Sequence, residues 1–86
     1  MKECSRVMLE SLRQRGEDDF HRVTLIVPEA NSAAMNQWLD DNGEGVWVLE
    51  DLYPYRPHGE TRYTDWVQTF AFSNRDSAFE FKLRFA

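Results

Sequence analysis

Few side chains in this sequence have the chemistry of a catalyst or a metal ligand. The two histidines, His21 and His58, fall in different parts of the chain, and neither sits beside a paired cysteine or in an HExxH spacing. A zinc site needs three or four such ligands, so both histidines read as structural or solvated. Cys4 has Lys2 and Arg6 as neighbours, which would favour a thiolate. It also falls on the apolar stripe of an expected first helix, and there it reads as a small buried thiol. The carboxylate pairs Asp18-Asp19, Asp40-Asp41 and Glu50-Asp51 are adjacent in sequence, and adjacent residues do not face one another across a shared acid/base site. No glycine-rich phosphate loop, serine elbow or kinase signature occurs. The expectation is a non-enzymatic protein with no catalytic residue, no cofactor and no metal.

The stretch with the strongest recognition chemistry is Glu50 to Tyr63, EDLYPYRPHGETRY. It combines Tyr53, Tyr55 and Tyr63 with Arg56, His58 and Arg62, on a segment stiffened by Pro54 and Pro57. Tyrosine and arginine concentrate binding energy at protein interfaces, and proline lowers the cost of ordering a loop. These six residues are the candidate partner-binding set. The competing reading is a long hairpin whose tyrosines cover the edge of the core. Aromatic rings mixed with arginines also stack single-stranded bases, but no RNP-type motif is present. A further reading gathers Glu17, Asp18, Asp19, Glu29, Asp40, Asp41, Glu44, Glu50 and Asp51 into an acidic face suited to a basic groove; a solvated rim explains the same residues.

The length and composition limit what can carry these groups. The chain of 86 residues is one domain, with 42% hydrophobic and 14% aromatic residues. A chain this short buries only about 60–65% of the surface its unfolded form exposes, so the large rings must supply much of the core. The formal charge of -5 opposes non-specific binding to nucleic acid, which comes mainly from cations, and makes anionic membranes unfavourable. A single cysteine excludes an intramolecular disulfide and points weakly to a reducing compartment. No signal peptide and no membrane-spanning run is read, so the expected location is cytoplasmic.

Six elements are expected to hold these residues. Residues 3–15 read as a helix with Cys4, Val7, Met8 and Leu12 on one stripe, ended at Gly16. Phe20 to Val27 reads as a strand whose apolar finish suggests a central position. A second helix runs from Pro28 or Asn31 to Asn42, with Asn31 or Ser32 as N-cap; Ala30, Ala34, Trp38, Met35 and Leu39 are buried, and Gly43 is its left-handed stop. Glu44–Leu52 and Thr61–Ser73 read as two strands of an antiparallel hairpin. The second has Thr64, Trp66, Gln68, Phe70 and Phe72 on one face and Tyr63, Asp65, Val67, Thr69 and Ala71 on the other. The last segment allows two readings. Ser73 to Asp76 resembles a capping box that starts a helix over 74–84, while residues 79–85 also alternate as an edge strand would; the cap favours the helix. The order α-β-α-β-β-α gives an α+β two-layer sandwich, a small three-stranded, mainly antiparallel sheet with helices on one face, loosely like a truncated ferredoxin fold.

The closing run Phe70-Ala71-Phe72-Ser73-Asn74-Arg75-Asp76-Ser77-Ala78-Phe79-Glu80-Phe81-Lys82-Leu83-Arg84-Phe85 is similar to the C-termini of small uncharacterised bacteriophage proteins. There too an aromatic strand enters a short acidic turn and ends in Phe-Lys-Leu-aromatic. The resemblance covers about the last fifth of the chain and transfers no residue role. It implies a phage origin, and with it an accessory protein that binds and modulates a host protein. The alternatives are a small nucleic-acid-associated regulator using the loop aromatics with Arg56, Arg62 and Arg75, and a structural subunit forming a homodimer through an edge strand.

Overall fold

The computed structural model describes residues 1–56 and 65–86. Among these, the elements run β1 (Lys2–Glu3), α1 (Arg6–Gln14), β2 (His21–Pro28), a single 3-10 turn (Glu29–Asn31), α2 (Ser32–Asp41), β3 (Val46–Pro54), β4 (Asp65–Phe72) and α3 (Arg75–Phe85). The strands form one mixed sheet in the order β1-β3-β4-β2. β4 is antiparallel to both β2 and β3, and β1 is parallel to β3. The α+β class is as expected. The sheet has four strands and not three, because Lys2 and Glu3 pair with Val46 and Trp47. β2 and β3, joined by α2, run parallel with β4 inserted between them, a split β-α-β unit.

The helix boundaries follow from their caps. The Ser5 hydroxyl accepts from the Met8 amide at 3.1 Å to start α1. At its other end Gly16 takes φ +72, donating to Arg13, while Glu17 donates to Leu12; this pair of bonds is the Schellman closure. Asn74, and not Ser73, caps α3: its side chain accepts from Ser77 N at 3.0 Å. Ser73 instead accepts from Val46 N at 2.8 Å. The helical reading of the last segment is therefore right, and the edge-strand alternative fails.

Side chains divide between two faces of the sheet. On one face Val23, Leu25, Val27, Trp47, Phe70 and Phe72 pack with Met35 and Leu39 of α2 and Ala78 and Phe81 of α3. Phe81 lies at the centre of this layer, with ring centroids 4.9 Å from Phe70, 5.2 Å from Phe72 and 5.1 Å from Phe85. On the other face Cys4 and Leu9 pack with Val48 and Ala71. The helices thus cover both sides of the sheet, where one-sided cover was expected.

Three further expectations change. β2 is an edge strand, and β4 holds the position between two long neighbours that the apolar finish of β2 had suggested for itself. The stripe of α1 is Leu9 with half-buried Leu12; Val7 and Met8 are exposed, and Cys4 precedes the helix, donating its amide to Trp47 O at 2.7 Å. In α2, Met35 and Leu39 are enclosed and Trp38 is half-buried, but Ala34 is exposed, as is Ala30 in the 3-10 turn before the helix. The α2–β3 turn presses against the start of α3. A Cβ on Gly43, at φ +75, would meet Ser77 Oγ at 2.7 Å, and one on Gly45, at φ +88, would collide with Ser73 Oγ. Both positions require glycine for backbone shape and for space.

Replacing Phe81 by alanine is expected to cost about 3–5 kcal/mol, the range for a fully enclosed ring. Phe79→Ala, on the exposed side of the same helix, is expected to fall within about 0.5 kcal/mol of wild type. Denaturant melts of the two variants measure both values; equal losses would mean that the buried face of α3 is misassigned.

Candidate functional site

β3 extends to Pro54, so Tyr53 belongs to the strand and not to the loop in which the sequence reading placed it. A bulge decides its direction. Leu49 pairs with Phe70 but Asp51, two residues on, pairs with Thr69, leaving Glu50 as an extra residue. The bulge restarts the alternation, so Leu52 pairs with Gln68 and Tyr53 with Val67. Val67 in turn pairs with Ile26 of β2. Ile26, Val67 and Tyr53 therefore form one row across three strands, on the face that carries α1.

This row is apolar and largely uncovered. Ile26 is 53% exposed and Tyr53 50%, while Val67 between them is sheltered to 7%. Tyr55 and Arg56 continue from the end of the strand, both exposed, with the Tyr55 amide donating to Asp65 O at 3.0 Å. Of the six candidate residues, Tyr53, Tyr55 and Arg56 are thus brought to one end of the sheet. His58, Arg62 and Tyr63 lie outside the described residues. Ile26 is the member that the sequence reading missed. Its signal was present in the alternation of FHRVTLIV, which sends Val23, Leu25 and Val27 one way and Thr24 and Ile26 the other.

Two polar bands separate this row from α1. Nearest is the Thr24–Thr69 hydroxyl pair, 2.9 Å apart. Beyond it lies a network of two arginines and two carboxylates. Arg22 Nη2 approaches Asp18 Oδ2 at 2.5 Å, and Arg22 Nε donates to Glu50 Oε2 at 3.1 Å. Arg13 Nε reaches Asp18 at 3.4 Å, and Arg13 is also bonded to Glu50. The bulge delivers Glu50, the turn after α1 delivers Asp18, and the two arginines come from α1 and β2. The hydrogen bond from Arg22 is the main cause holding the Asp18 carboxyl at about 2, below its ordinary 3.8. The same guanidinium lowers Glu50, and the two carboxylates together raise Arg22.

The acids do not gather into one face. Asp18 and Glu50 are neutralised on the α1 side, and Glu17 pairs with Arg15 at 3.5 Å. Glu44 joins Asp76 and Glu80 along a cleft of about 470 Å³ beside α3, where Ser77 Oγ both donates to Glu44 O and accepts from its amide. Glu29 lines a separate groove on the α2 side. Among the described residues no three His, Cys, Asp or Glu side chains lie close enough to hold a metal ion, and no helix is long and apolar enough to cross a membrane. Cys4 is buried, with its Sγ 3.3 Å from Met8 Sδ. Comparison of the chain with protein-family models, curated proteins and solved structures finds no match.

The charge network makes a specific acid-side prediction. A carboxyl with a lower pKa folded than unfolded stabilises the fold fully above the unfolded value and loses that contribution as pH falls through the folded one. For Asp18 the window runs from about pH 4 down to about pH 2. Asp18→Asn is expected to flatten the fall in melting temperature across that window, and to cost about 1 kcal/mol or less at neutral pH, the scale of partly exposed ion pairs. A melting curve series with the same acid slope in both proteins would show that the network contributes nothing there.

Proposed function

We propose that this protein is a non-enzymatic protein-interaction domain whose contact surface is the apolar row Ile26–Val67–Tyr53, extended by Tyr55 and Arg56. The observation that supports the reading is the half-exposed pair Ile26 and Tyr53, in register on either side of Val67. Large apolar side chains aligned on an uncovered sheet face mark interaction surfaces, and tyrosine with a neighbouring arginine is the composition of binding hot spots. The resemblance of the last segment to small phage proteins suggests the biological setting, an accessory protein that binds and modulates a host protein in the cytoplasm.

A second reading, assembly into a homodimer, draws on a different feature. β2 is eight residues long and, among the described residues, pairs only with β4, which places it at the edge of the sheet. Open edges accept strands, from a second copy or from another protein.

The two readings separate experimentally. An Ile26→Thr/Tyr53→Ser double variant is expected to lose a partner captured by tagged wild-type protein from a bacterial lysate, while melting within a few degrees of wild type. Retention of the partner by the variant overturns the assigned surface. A mass that doubles with concentration in sedimentation, without a captured partner, favours the dimer. Salt-sensitive retention on a nucleic-acid column would favour the regulator reading instead.

A further inference from the structure

On the opposite side of the sheet, between the first turns of α2 and the outer ends of β3 and β4, lies a groove of about 280 Å³. Leu49, Leu52 and Trp66 form its apolar wall; Glu29, Ser32, Asn36 and Gln68 supply the polar groups. Gln68 is the unusual member. It is only 5% exposed, and its cross-strand neighbours are Leu25 and Leu52, neither of which offers a hydrogen bond. No side-chain hydrogen bond forms to its carboxamide among the described residues. Among those residues, only Trp47 Nε1 is both sealed from solvent and unpartnered. The Gln68 amide therefore keeps its small remaining access, and that access is through the groove it lines.

A buried amide without a partner destabilises a fold, and a leucine in its place would complete an apolar row with Leu25 and Leu52. We propose that the groove is a binding site for a small, flat, uncharged heterocycle whose edge carries a hydrogen-bond donor beside an acceptor, as a nucleobase or cyclic amide does. The carboxamide presents one acceptor and two donor hydrogens side by side and pairs in bidentate fashion with such an edge, as glutamine does with adenine. Asn36 and Ser32 offer further hydrogen bonds at the α2 wall. The volume holds roughly nine waters at about 30 Å³ each, enough for one or two fused rings. Among the described residues the lining contains no Lys or Arg, and the carboxylate of Glu29 on its rim disfavours a phosphorylated ligand. The site lies on the face opposite Tyr53, and its failure would leave the interaction surface untouched.

Titration of ¹⁵N-labelled protein with uracil and with adenine tests this. With at least one base, the Gln68 side-chain amide and Trp66 indole signals are expected to shift and saturate; adenosine monophosphate is expected to bind several-fold more weakly than adenine. Gln68→Leu is expected to weaken binding at least tenfold while melting no lower than wild type. Should that variant misfold, Leu52→Glu, which puts a charge on the half-exposed wall, is expected to weaken binding as well. The proposal is overturned if neither base shifts the Gln68 amide up to its solubility limit, or if Gln68→Leu binds as wild type does.

Discussion

The strand β4 must be covered on both faces and paired on both edges, and the rest of the chain is arranged around that requirement. Phe70, Ala71 and Phe72 are successive residues that point to alternate sides, and all three are almost fully enclosed. The large rings face α2 and α3, where Phe81 fills the space between them in tilted contacts at 4.9 and 5.2 Å. Tilted contact at these separations suits the ring quadrupoles better than face-to-face stacking. The small residue faces α1, so that nine-residue helix can lie close to the sheet with only Leu9 fully buried. β2 and β3 then satisfy the backbone of β4 along its length.

This division produces two unequal layers. The α2/α3 layer carries most of the enclosed apolar side chains and accounts for most of the hydrophobic stabilisation. The α1 layer is thin, and ion pairs supplement its packing: Arg13 and Arg22 draw Asp18 and Glu50 together over the buried Ala71. A single short helix cannot span the whole face, and beyond the Thr24–Thr69 pair no other described helix lies over the sheet, leaving Ile26 and Tyr53 half-exposed. The exposed row is thus a geometric consequence of how little of β4's second side α1 reaches.

Local signals fixed the elements that the sequence made legible. Gly16 closed α1 as expected, in a left-handed turn, whereas α2 stopped at Asn42, which turns extended one residue before the expected left-handed stop at Gly43. The polar start at Ser73–Asn74 outweighed the strand-like alternation of residues 79–85, since capping acts on the backbone directly; it also left Phe79 and Leu83 in solvent. The two faces of β4 were readable from strict alternation of Trp66, Gln68, Phe70 and Phe72 against Val67, Thr69 and Ala71. Pairing over long sequence distances was not readable. β1 is two residues long and exists only because Val46 and Trp47 are there to receive it. The edge position of β2 depends on β4 arriving forty residues later, and the apolar run of Thr24 to Val27 gives no hint of it. The pairing of Asp18 and Glu50 with arginines was likewise invisible, and it removes two members from the supposed acidic face. In the candidate site, tyrosines and an arginine were identifiable by type, whereas Ile26 joined them only through register.

Residue Glu50 has one more consequence, which concerns chain length rather than composition. Side chains in a strand alternate with a period of two, so one residue more or less exchanges the faces of everything downstream. With Glu50 bulged out, Tyr53 stands beside Val67 and Leu52 beside Gln68. In an unbulged ladder of the same sequence, Tyr53 would fall beside Trp66 inside the groove and Leu52 would take its place on the open row. Deleting one residue at that position would instead restore a regular ladder with both faces unchanged, at the loss of the carboxylate that holds two arginines. For this domain, accommodating the extra residue as a bulge therefore decides which face carries Tyr53, a choice of register that no substitution at Tyr53 itself reproduces.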